Sequence, residues 1–252
     1  MTLSCTTQIN EMINRGALFM VNHSGGKDSQ AMTIALRNVV PLDQLVIVHA
    51  ELPEVDWPGT VEFIETNALG IEVRVCKAVK TFFEMVEHRQ KFPSPSTKQC
   101  TSDLKRGPLE KLIRTISLER KNKLIVNCMG MRAAESPGRA KQKPWKYSKR
   151  NSKAGREYYD ALPVHHWSTD EVFREIADAN QEPFYTYGEG MIRKSCCFCI
   201  MACKSDLKIA ARLMPELASR YIETEERLDF SMNMSRTFLR EIITQNNNIT
   251  HA

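Results

Sequence analysis

Short apolar runs alternate with amphipathic segments of helical length along most of the chain, and this alternation limits the possible folds. Strands that alternate with helices favour a parallel sheet with helices on both faces, and such a sheet binds ligands beyond the carboxyl ends of its strands. We therefore expect an α/β fold. The predicted strands are 18–21, 45–50, 71–76 and 123–131, and the predicted helices are 29–39, 58–70, 79–89, 104–116 and 168–179.

Composition limits the class of protein. The chain has 252 residues, of which 42% are hydrophobic and 26% charged, enough for one large domain or two small ones. No apolar run approaches the roughly 18 residues that a membrane helix needs. The first residues also lack the basic start and apolar block of an export signal. We expect a cytoplasmic protein that does not enter a membrane, with its eight cysteines reduced or bound to metal.

The stretch HSGGKDS, residues 23–29, lies between a predicted strand and a predicted helix. Phosphate is held at such a junction, because glycines allow close backbone approach and the amino end of a helix favours anions. Lys27 adds a positive charge for phosphate, and Asp28 could hold Mg²⁺. Arg132 follows another strand end and a glycine, so we expect it to contact phosphate as well.

Basic residues are concentrated in 139–156, which holds eight lysines and arginines and no acidic residue. The segment has no apolar periodicity and contains proline, glycine and serine, so we expect a long mobile loop. A solvated surface loop and a contact for a polyanion such as nucleic acid are both consistent with this pattern.

The last third of the chain turns helical and rich in cysteine. Cys196, Cys197, Cys199 and Cys203 fall within eight positions, the kind of spacing at which thiolates bind an iron–sulfur cluster or zinc. Cys196 and Cys199 form a C-x-x-C pair, and Cys203 would lie one helical turn beyond Cys199. A structural zinc site and buried thiols without metal remain alternatives. We expect a nucleotide-binding domain over 1–163, a helical cysteine-rich region over 164–245 packed on it, and a frayed tail over 246–252.

The stretch SGGKDS resembles the PP-loop of the ATP pyrophosphatases, which split ATP between its α and β phosphates. Further segments resemble the phosphoadenosine phosphosulfate reductase branch of that superfamily. The segments are VHAELPEVDWPGTVEFI, CTSDLKRGPLEKLI, GMRAAESPGRA, LPVHHWSTDEVFREI and YGEGMIRKSCCFC, with Glu51 where an aspartate is common. The resemblance runs from about Ala17 to Leu217. It implies a Rossmann-like adenine nucleotide alpha hydrolase fold with a parallel sheet.

Departures from the reductase pattern favour a different reaction. The sulfonucleotide reductases carry a Glu-Cys-Gly-Leu-His nucleophile segment near their end, whereas here no cysteine follows Cys203. Their PP-loops have often lost the lysine and the aspartate, which are both present here. The chain is therefore more similar to the ATP-using DNA phosphorothioation sulfurtransferases, which bear an iron–sulfur cluster.

The resemblance and the residues together give the expected site. ATP, or phosphoadenosine phosphosulfate, and Mg²⁺ would bind at Ser24, Gly25, Gly26, Lys27, Ser29, Glu51, Gly130 and Arg132, with Lys27, Asp28 and Arg132 catalytic. Cluster-bearing relatives bring a further cysteine to the metal, which implies a [4Fe–4S] cluster on Cys100, Cys196, Cys199 and Cys203, with Cys197 as the alternate fourth ligand.

Three functions follow as hypotheses. The first is ATP cleavage that activates a substrate for sulfur transfer, with a nucleic acid at 139–156 as a possible acceptor and a protein as sulfur donor or reductant. The second is reduction of phosphoadenosine phosphosulfate to sulfite, for which Cys197 or Cys203 would have to be the nucleophile. The third is a non-enzymatic regulator that binds a nucleotide and a cluster.

Overall fold

The computed structural model describes residues 2–245 and contains a six-stranded sheet. In spatial order the strands are β3, β2, β1, β4, β6 and β5. β1 pairs in parallel with β2 and β4, β4 pairs in parallel with β6, and β5 pairs antiparallel with β6 at one edge. The strands are β1 Leu18–Asn22, β2 Leu45–Glu51, β3 Glu72–Lys77, β4 Leu124–Met129, β5 Trp145–Tyr147 and β6 Glu157–Ala161.

Eleven α-helical segments lie within the described residues. Five of them overlap the helices predicted from the sequence: Lys27–Arg37, Thr60–Thr66, Phe82–Arg89, Gly107–Glu119 and Thr169–Asp178. The helix Thr6–Asn14 was not predicted, and a π-helical turn over Ser102–Arg106 precedes Gly107–Glu119. The eleven segments are α1 Thr6–Asn14, α2 Lys27–Arg37, α3 Thr60–Thr66, α4 Phe82–Arg89, α5 Gln99–Thr101, α6 Gly107–Glu119, α7 Pro137–Ala140, α8 Thr169–Asp178, α9 Lys204–Leu213, α10 Pro215–Leu228 and α11 Leu239–Thr244. None of the helices in this part of the chain is long and apolar enough to cross a membrane.

The predicted α/β class with a mostly parallel, Rossmann-like sheet is confirmed. From β1 the chain proceeds outward through β2 to β3, and β4 then returns to the other side of β1. Ligands bind at such a reversal of strand order, in the crevice beyond the carboxyl ends. The loops after β1 and β4 therefore border the candidate site.

Both faces of the sheet are apolar, as buried parallel strands require. On one face, Phe19 and Val21 of β1 pack with Met32 of α2 and Val172 of α8. On the other face, Met20 packs with residues of α6. α2 is thereby fixed directly behind the end of β1.

Two compact units are interleaved along the chain. The first contains the chain up to Glu51, Gly59–Cys76 and Gly107–Phe184, and includes the six strands except for the last residue of β3. The second contains Leu52–Pro58, Lys77–Arg106 and the chain from Tyr185 onward. This division differs from the boundary expected at residue 163, and the domain assignment stays a prediction. The predicted tail, 246–252, lies outside the described residues.

The basic segment 139–156 is not the unstructured loop that its composition suggested. It contains β5, which pairs with β6. The sequence pattern predicted neither of these two strands. Trp145 stacks on Tyr159 with 5.2 Å between ring centroids, and Tyr147 meets the same ring edge-on at 5.5 Å. Cross-strand aromatic pairs of this kind stabilise a short edge strand that has little periodicity of its own.

Candidate functional site

The loop after β1 turns sharply through Gly25, which has a φ of 76°. Glycine takes this left-handed conformation without steric cost. The Gly25 N–H donates to Nδ1 of buried His23 at 3.0 Å, and the His23 carbonyl accepts from Nδ1 of His49 at 2.8 Å, for the tautomer that carries hydrogen there. The turn is thus fixed by two buried histidines before any ligand binds.

Ser24 and Ser29 close this turn against each other. The Ser29 hydroxyl donates to the Gly26 carbonyl at 2.8 Å and accepts the Ser24 N–H at 3.2 Å. Gly26 is the N-cap of α2, and in the described structure no side chain caps that end of the helix. The amino end of α2 therefore has its positive dipole end available to an anion.

A buried ion-pair network joins the two loops that border the site. Arg132 donates from Nε to Oδ1 of Asp28 at 2.5 Å, and Lys27 Nζ lies 3.3 Å from Oδ2 of the same carboxylate. Arg132 also donates to the Trp167 carbonyl at 3.1 Å and to the Thr169 hydroxyl at 3.3 Å. The loop after β4 is thereby tied to the first turns of α2 and α8.

Lys27 is buried although it lies at the junction between the loop and α2. It is the first residue of α2 and only 6% exposed, and Arg132 is 3% exposed. The buried Lys27 ammonium is stabilised because the adjacent Asp28 carboxylate compensates its charge. Both oxygens of Asp28 have cationic partners, so the Mg²⁺ role of Asp28 stays a prediction.

Gly130 lies against the start of α2. A Cβ at this position would come within 2.9 Å of the Asp28 carbonyl group and of the Ser29 backbone nitrogen. Only a residue without a side chain allows the end of β4 to approach the helix so closely. The glycine predicted to bind the cofactor therefore sets the spacing between β4 and α2.

The predicted nucleotide residues converge on one edge of the sheet. Ser24 to Ser29 follow β1, Gly130 and Arg132 follow β4, and Glu51 is the last residue of β2, where it is half-buried. Their roles toward a nucleotide stay predictions.

Sequence reasoning did not identify the polar ladder beside this edge. Nδ2 of Asn22 donates to Oδ1 of Asn127 at 2.7 Å, and Nδ2 of Asn127 donates to Oδ1 of Asp160 at 2.8 Å. Burial raises the pKa of Asp160 above its usual range, although the Asn127 amide opposes this effect. The residues lie on three strands that are distant in sequence, so no local motif could have revealed the ladder.

The second unit brings the cysteines of two sequence-distant segments near one another. Lys105 Nζ donates to Sγ of Cys196 at 3.4 Å. Burial raises the pKa of Cys196 to about 11, against the effect of Lys105, and the thiols of Cys199 and Cys100 raise it further. Burial likewise raises the pKa of Cys100. Cys100, Cys196 and Cys199 therefore share one electrostatic environment.

Cys203 and Cys197 stand apart from this arrangement. Cys203 is exposed, with its Sγ 3.1 Å from the Ser205 hydroxyl, and burial raises the pKa of Cys197 well above its usual range. Within residues 2–245, no group of three or more histidine, cysteine, aspartate or glutamate side chains is arranged so that it could hold a metal ion. As arranged here, these residues do not fit a metal centre, and the [4Fe–4S] cluster stays a prediction.

Two of the basic residues in 139–156 are engaged within the protein. Arg139 pairs with Glu135, and Arg150 Nη2 lies 2.9 Å from Glu110. The lysines of the segment are exposed to solvent; they are Lys141, Lys143, Lys146, Lys149 and Lys153.

Residues 19–202 match the family model of the phosphoadenosine phosphosulfate reductase domain. One curated relative is an uncharacterized 37.8 kDa protein of Escherichia phage 186, 28% identical over 179 residues. That match covers 67% of this chain and 52% of the relative, so the chain spans about half the relative's length.

Two solved structures from yeasts are also similar. A phosphoadenylyl-sulfate reductase from Candida auris, in a phosphate complex, has a TM-score of 0.45 at 12% identity, covering 78% of this chain and 97% of that chain. The Candida glabrata FMN adenylyltransferase, in complex with FAD and inorganic pyrophosphate, has a TM-score of 0.44 at 15% identity, covering 74% of this chain and 57% of that chain.

Proposed function

The chain belongs to the phosphoadenosine phosphosulfate reductase domain family, and on this basis we propose that it cleaves ATP to AMP and pyrophosphate to activate a substrate for sulfur transfer. Family membership indicates an enzyme that acts on adenine nucleotides. The identity of the nucleotide and the transfer of sulfur are the proposal.

One observation carries the choice of ATP. The loop after β1 places an uncapped helix end directly after a left-handed glycine, with a buried lysine as the first helical residue. This combination suits the terminal phosphates of a nucleotide, because a helix end and an ammonium group both attract dense negative charge. If a bond between two phosphates breaks here, the negative charge that develops on the leaving phosphate would lie beside the Lys27 ammonium.

In the proposed reaction, the amino end of α2 holds the pyrophosphate portion of ATP. Lys27 exchanges its contact with Asp28 for one with phosphate and neutralises the charge that develops as the α–β bond breaks. Arg132 stays paired with Asp28, so the Asp28 carboxylate retains a cationic partner. Mg²⁺, which the family resemblance implies, would neutralise phosphate charge, with Asp28 as its nearest candidate ligand.

An iron–sulfur cluster is a separate part of the proposal, and no step above depends on it. Its support is the shared environment of Cys100, Cys196 and Cys199, while the arrangement of these residues does not fit a metal as it stands. Iron and zinc analysis of protein prepared without oxygen tests it, with Cys199→Ser as the variant expected to lose metal and Cys5→Ser as the control.

Reduction of phosphoadenosine phosphosulfate is the second candidate, and a non-enzymatic regulator is the third. The reductase reaction requires a nucleophilic thiolate, for which Cys197 and Cys203 are the candidates; burial raises the pKa of Cys197, whereas Cys203 is exposed. Thiols with raised pKa values are poor nucleophiles near neutral pH. The raised pKa of Cys197 argues against this thiol as the reductase nucleophile and leaves Cys203 as the candidate for that reaction.

The test is to incubate oxygen-free protein separately with ATP and with phosphoadenosine phosphosulfate, and to identify the products. Pyrophosphate and AMP from ATP support the proposal. Sulfite from the sulfonucleotide would replace it with the reductase assignment, and no turnover of either nucleotide would favour the regulator.

A further inference from the structure

His23, the first residue after β1, contributes both its backbone and its ring to the loop. Its N–H donates to the Val48 carbonyl of β2 at 3.0 Å, and Nδ1 of its ring accepts the Gly25 N–H at 3.0 Å. The residue is only 2% exposed, so water does not compete for the Gly25 N–H. The ring therefore determines the path of the chain from the sheet into the turn.

This contact is the histidine counterpart of an Asx turn. In an Asx turn, the side-chain oxygen of an asparagine or aspartate accepts a hydrogen bond from the backbone N–H two residues ahead. Nδ1 of a histidine is separated from Cα by the same number of bonds as Oδ1 of an asparagine, so it can make the same contact. His23 thereby stabilises the left-handed conformation of Gly25, whose φ is 76°.

The contact also determines which N–H groups of the loop can meet a ligand. The Ser24 N–H donates to the Ser29 hydroxyl. The Gly25 N–H donates to His23. The next N–H, that of Gly26, has no hydrogen-bond acceptor in the part of the chain that the structure describes. Gly26 is the N-cap of α2, so this N–H lies at the positive end of the helix dipole, where an anion is stabilised.

The two buried histidines of the loop need opposite tautomers. A backbone N–H can only donate, so Nδ1 of His23, which faces the Gly25 N–H, must carry no hydrogen. A carbonyl oxygen can only accept, so Nδ1 of His49, which lies 2.8 Å from the His23 carbonyl, must carry one. The hydrogen-bond network of the loop is therefore compatible with one tautomer of each ring.

We propose that His23 is the positioning residue of the nucleotide site: its neutral ring, with Nδ1 unprotonated, holds Gly25 in the turn that leaves the Gly26 N–H available to phosphate. This inference rests on the proposed function, because phosphate is the ligand of that site, and it identifies the residue that sets the geometry of phosphate binding. His23 acts through the backbone of the loop, since its Nδ1 is already used by Gly25.

Two substitutions separate hydrogen bonding from packing. His23→Leu fills the buried site but removes the acceptor, whereas His23→Asn keeps an acceptor and loses volume. His23→Leu should weaken the binding of inorganic pyrophosphate by roughly tenfold or more, because the buried Gly25 N–H is left without an acceptor. His23→Asn should bind within about threefold of the wild type, because asparagine makes the same turn. A role in packing alone predicts the reverse order, since leucine fills the site better than asparagine.

Isothermal titration calorimetry measures the affinity of the full chain for pyrophosphate in the presence of Mg²⁺, and circular dichroism checks the fold of each variant. His88→Leu, at an exposed histidine of α4, is the matched control and should leave the affinity unchanged. Nitrogen NMR of the ligand-free wild type distinguishes the two neutral tautomers of histidine. It should show hydrogen on Nε2 of His23 and on Nδ1 of His49, and this measurement remains decisive even if His23→Leu fails to fold.

Three outcomes would overturn the inference: wild-type affinity in His23→Leu, weaker binding by His23→Asn than by His23→Leu, and hydrogen on Nδ1 of His23 in the NMR measurement. Cleavage of ATP is measured on the same preparations. Wild-type affinity in His23→Leu together with intact ATP cleavage refutes this inference alone. Pyrophosphate binding that depends on His23, in a protein that does not cleave ATP, refutes the proposed reaction alone. A wild type that binds neither pyrophosphate nor ATP would overturn both.

Discussion

The loop after β1 and the thiol segment around Cys196 differ in how they are stabilised. In the loop, Asp28, Lys27 and Arg132 compensate one another's charges, and the turn is formed from backbone and histidine hydrogen bonds. In the thiol segment, the Tyr221 hydroxyl has no hydrogen-bond partner within residues 2–245, and Lys105 has a thiol as its acceptor. Charges are compensated within the first region, whereas the second leaves a buried hydroxyl unsatisfied among the described residues.

This difference gives the two regions different sensitivities. Removing one member of a compensated ion pair should destabilise the fold, because the remaining charge is buried without compensation. Removing a donor that has no partner should cost little stability and should affect only what binds there. The predictions below test this contrast, beginning with the largest expected effect.

Arg132→Met should lower the free energy of unfolding by about 3–5 kcal/mol, because it breaks a buried pair and leaves the Asp28 carboxylate with less compensation. Urea denaturation followed by circular dichroism measures the change. Arg114→Met, at an exposed arginine of α6, is the control and should change stability by less than about 0.5 kcal/mol. A loss of under about 1 kcal/mol for Arg132→Met would show that the pair behaves as a surface salt bridge.

Lys27→Met should reduce pyrophosphate release from ATP by roughly 10²–10³-fold, because an ammonium group at the site of developing charge is lost. Lys111→Met, at an exposed position of α6, should leave the rate unchanged. Unchanged pyrophosphate release from the Lys27 variant would contradict the role proposed for this residue.

Gly130→Ala should cost about 1–3 kcal/mol, because the new methyl group would lie within 2.9 Å of the α2 backbone, which cannot move as a flexible side chain can. Gly138→Ala provides a matched control, since a Cβ there meets only the Ser136 hydroxyl at 4.0 Å. Thermal unfolding measures both changes. Equal stability of the two variants would mean that β4 and α2 can separate without cost.

Weakening of nucleic-acid binding by salt is the smallest of the expected effects. If the exposed lysines of 139–156 contact phosphates, each contact should contribute about −0.9 to the slope of log affinity against log salt for duplex DNA. Lys143→Ala combined with Lys146→Ala should then flatten the slope by up to about two such contributions, as measured by fluorescence anisotropy. An unchanged slope would indicate that these lysines do not contact phosphates and that the segment is an ordinary solvated surface.

The conformation of the loop after β1 could be predicted from the sequence because its information is local. A strand end, two glycines, a lysine and the start of a helix are consecutive in the sequence, and the structure places them as consecutive parts of one turn. The burial of Lys27 could not be predicted, because the compensating Arg132 lies 104 positions from Asp28. The edge strand β5 was missed for a similar reason, since its stability comes from pairing with β6.

The sequence by itself determined the α/β class, the positions of β1, β2 and β4, the glycine turn after β1 and the grouping of four cysteines in eight positions. These features depend on residue type and short spacing, which fix backbone conformation and hydrophobic periodicity. Only the tertiary structure decided that Lys105 faces Cys196, that Cys203 lies exposed, and that Tyr221 is buried with an unsatisfied hydroxyl. Such contacts join segments far apart in the chain, so they arise only from the packing of the folded protein.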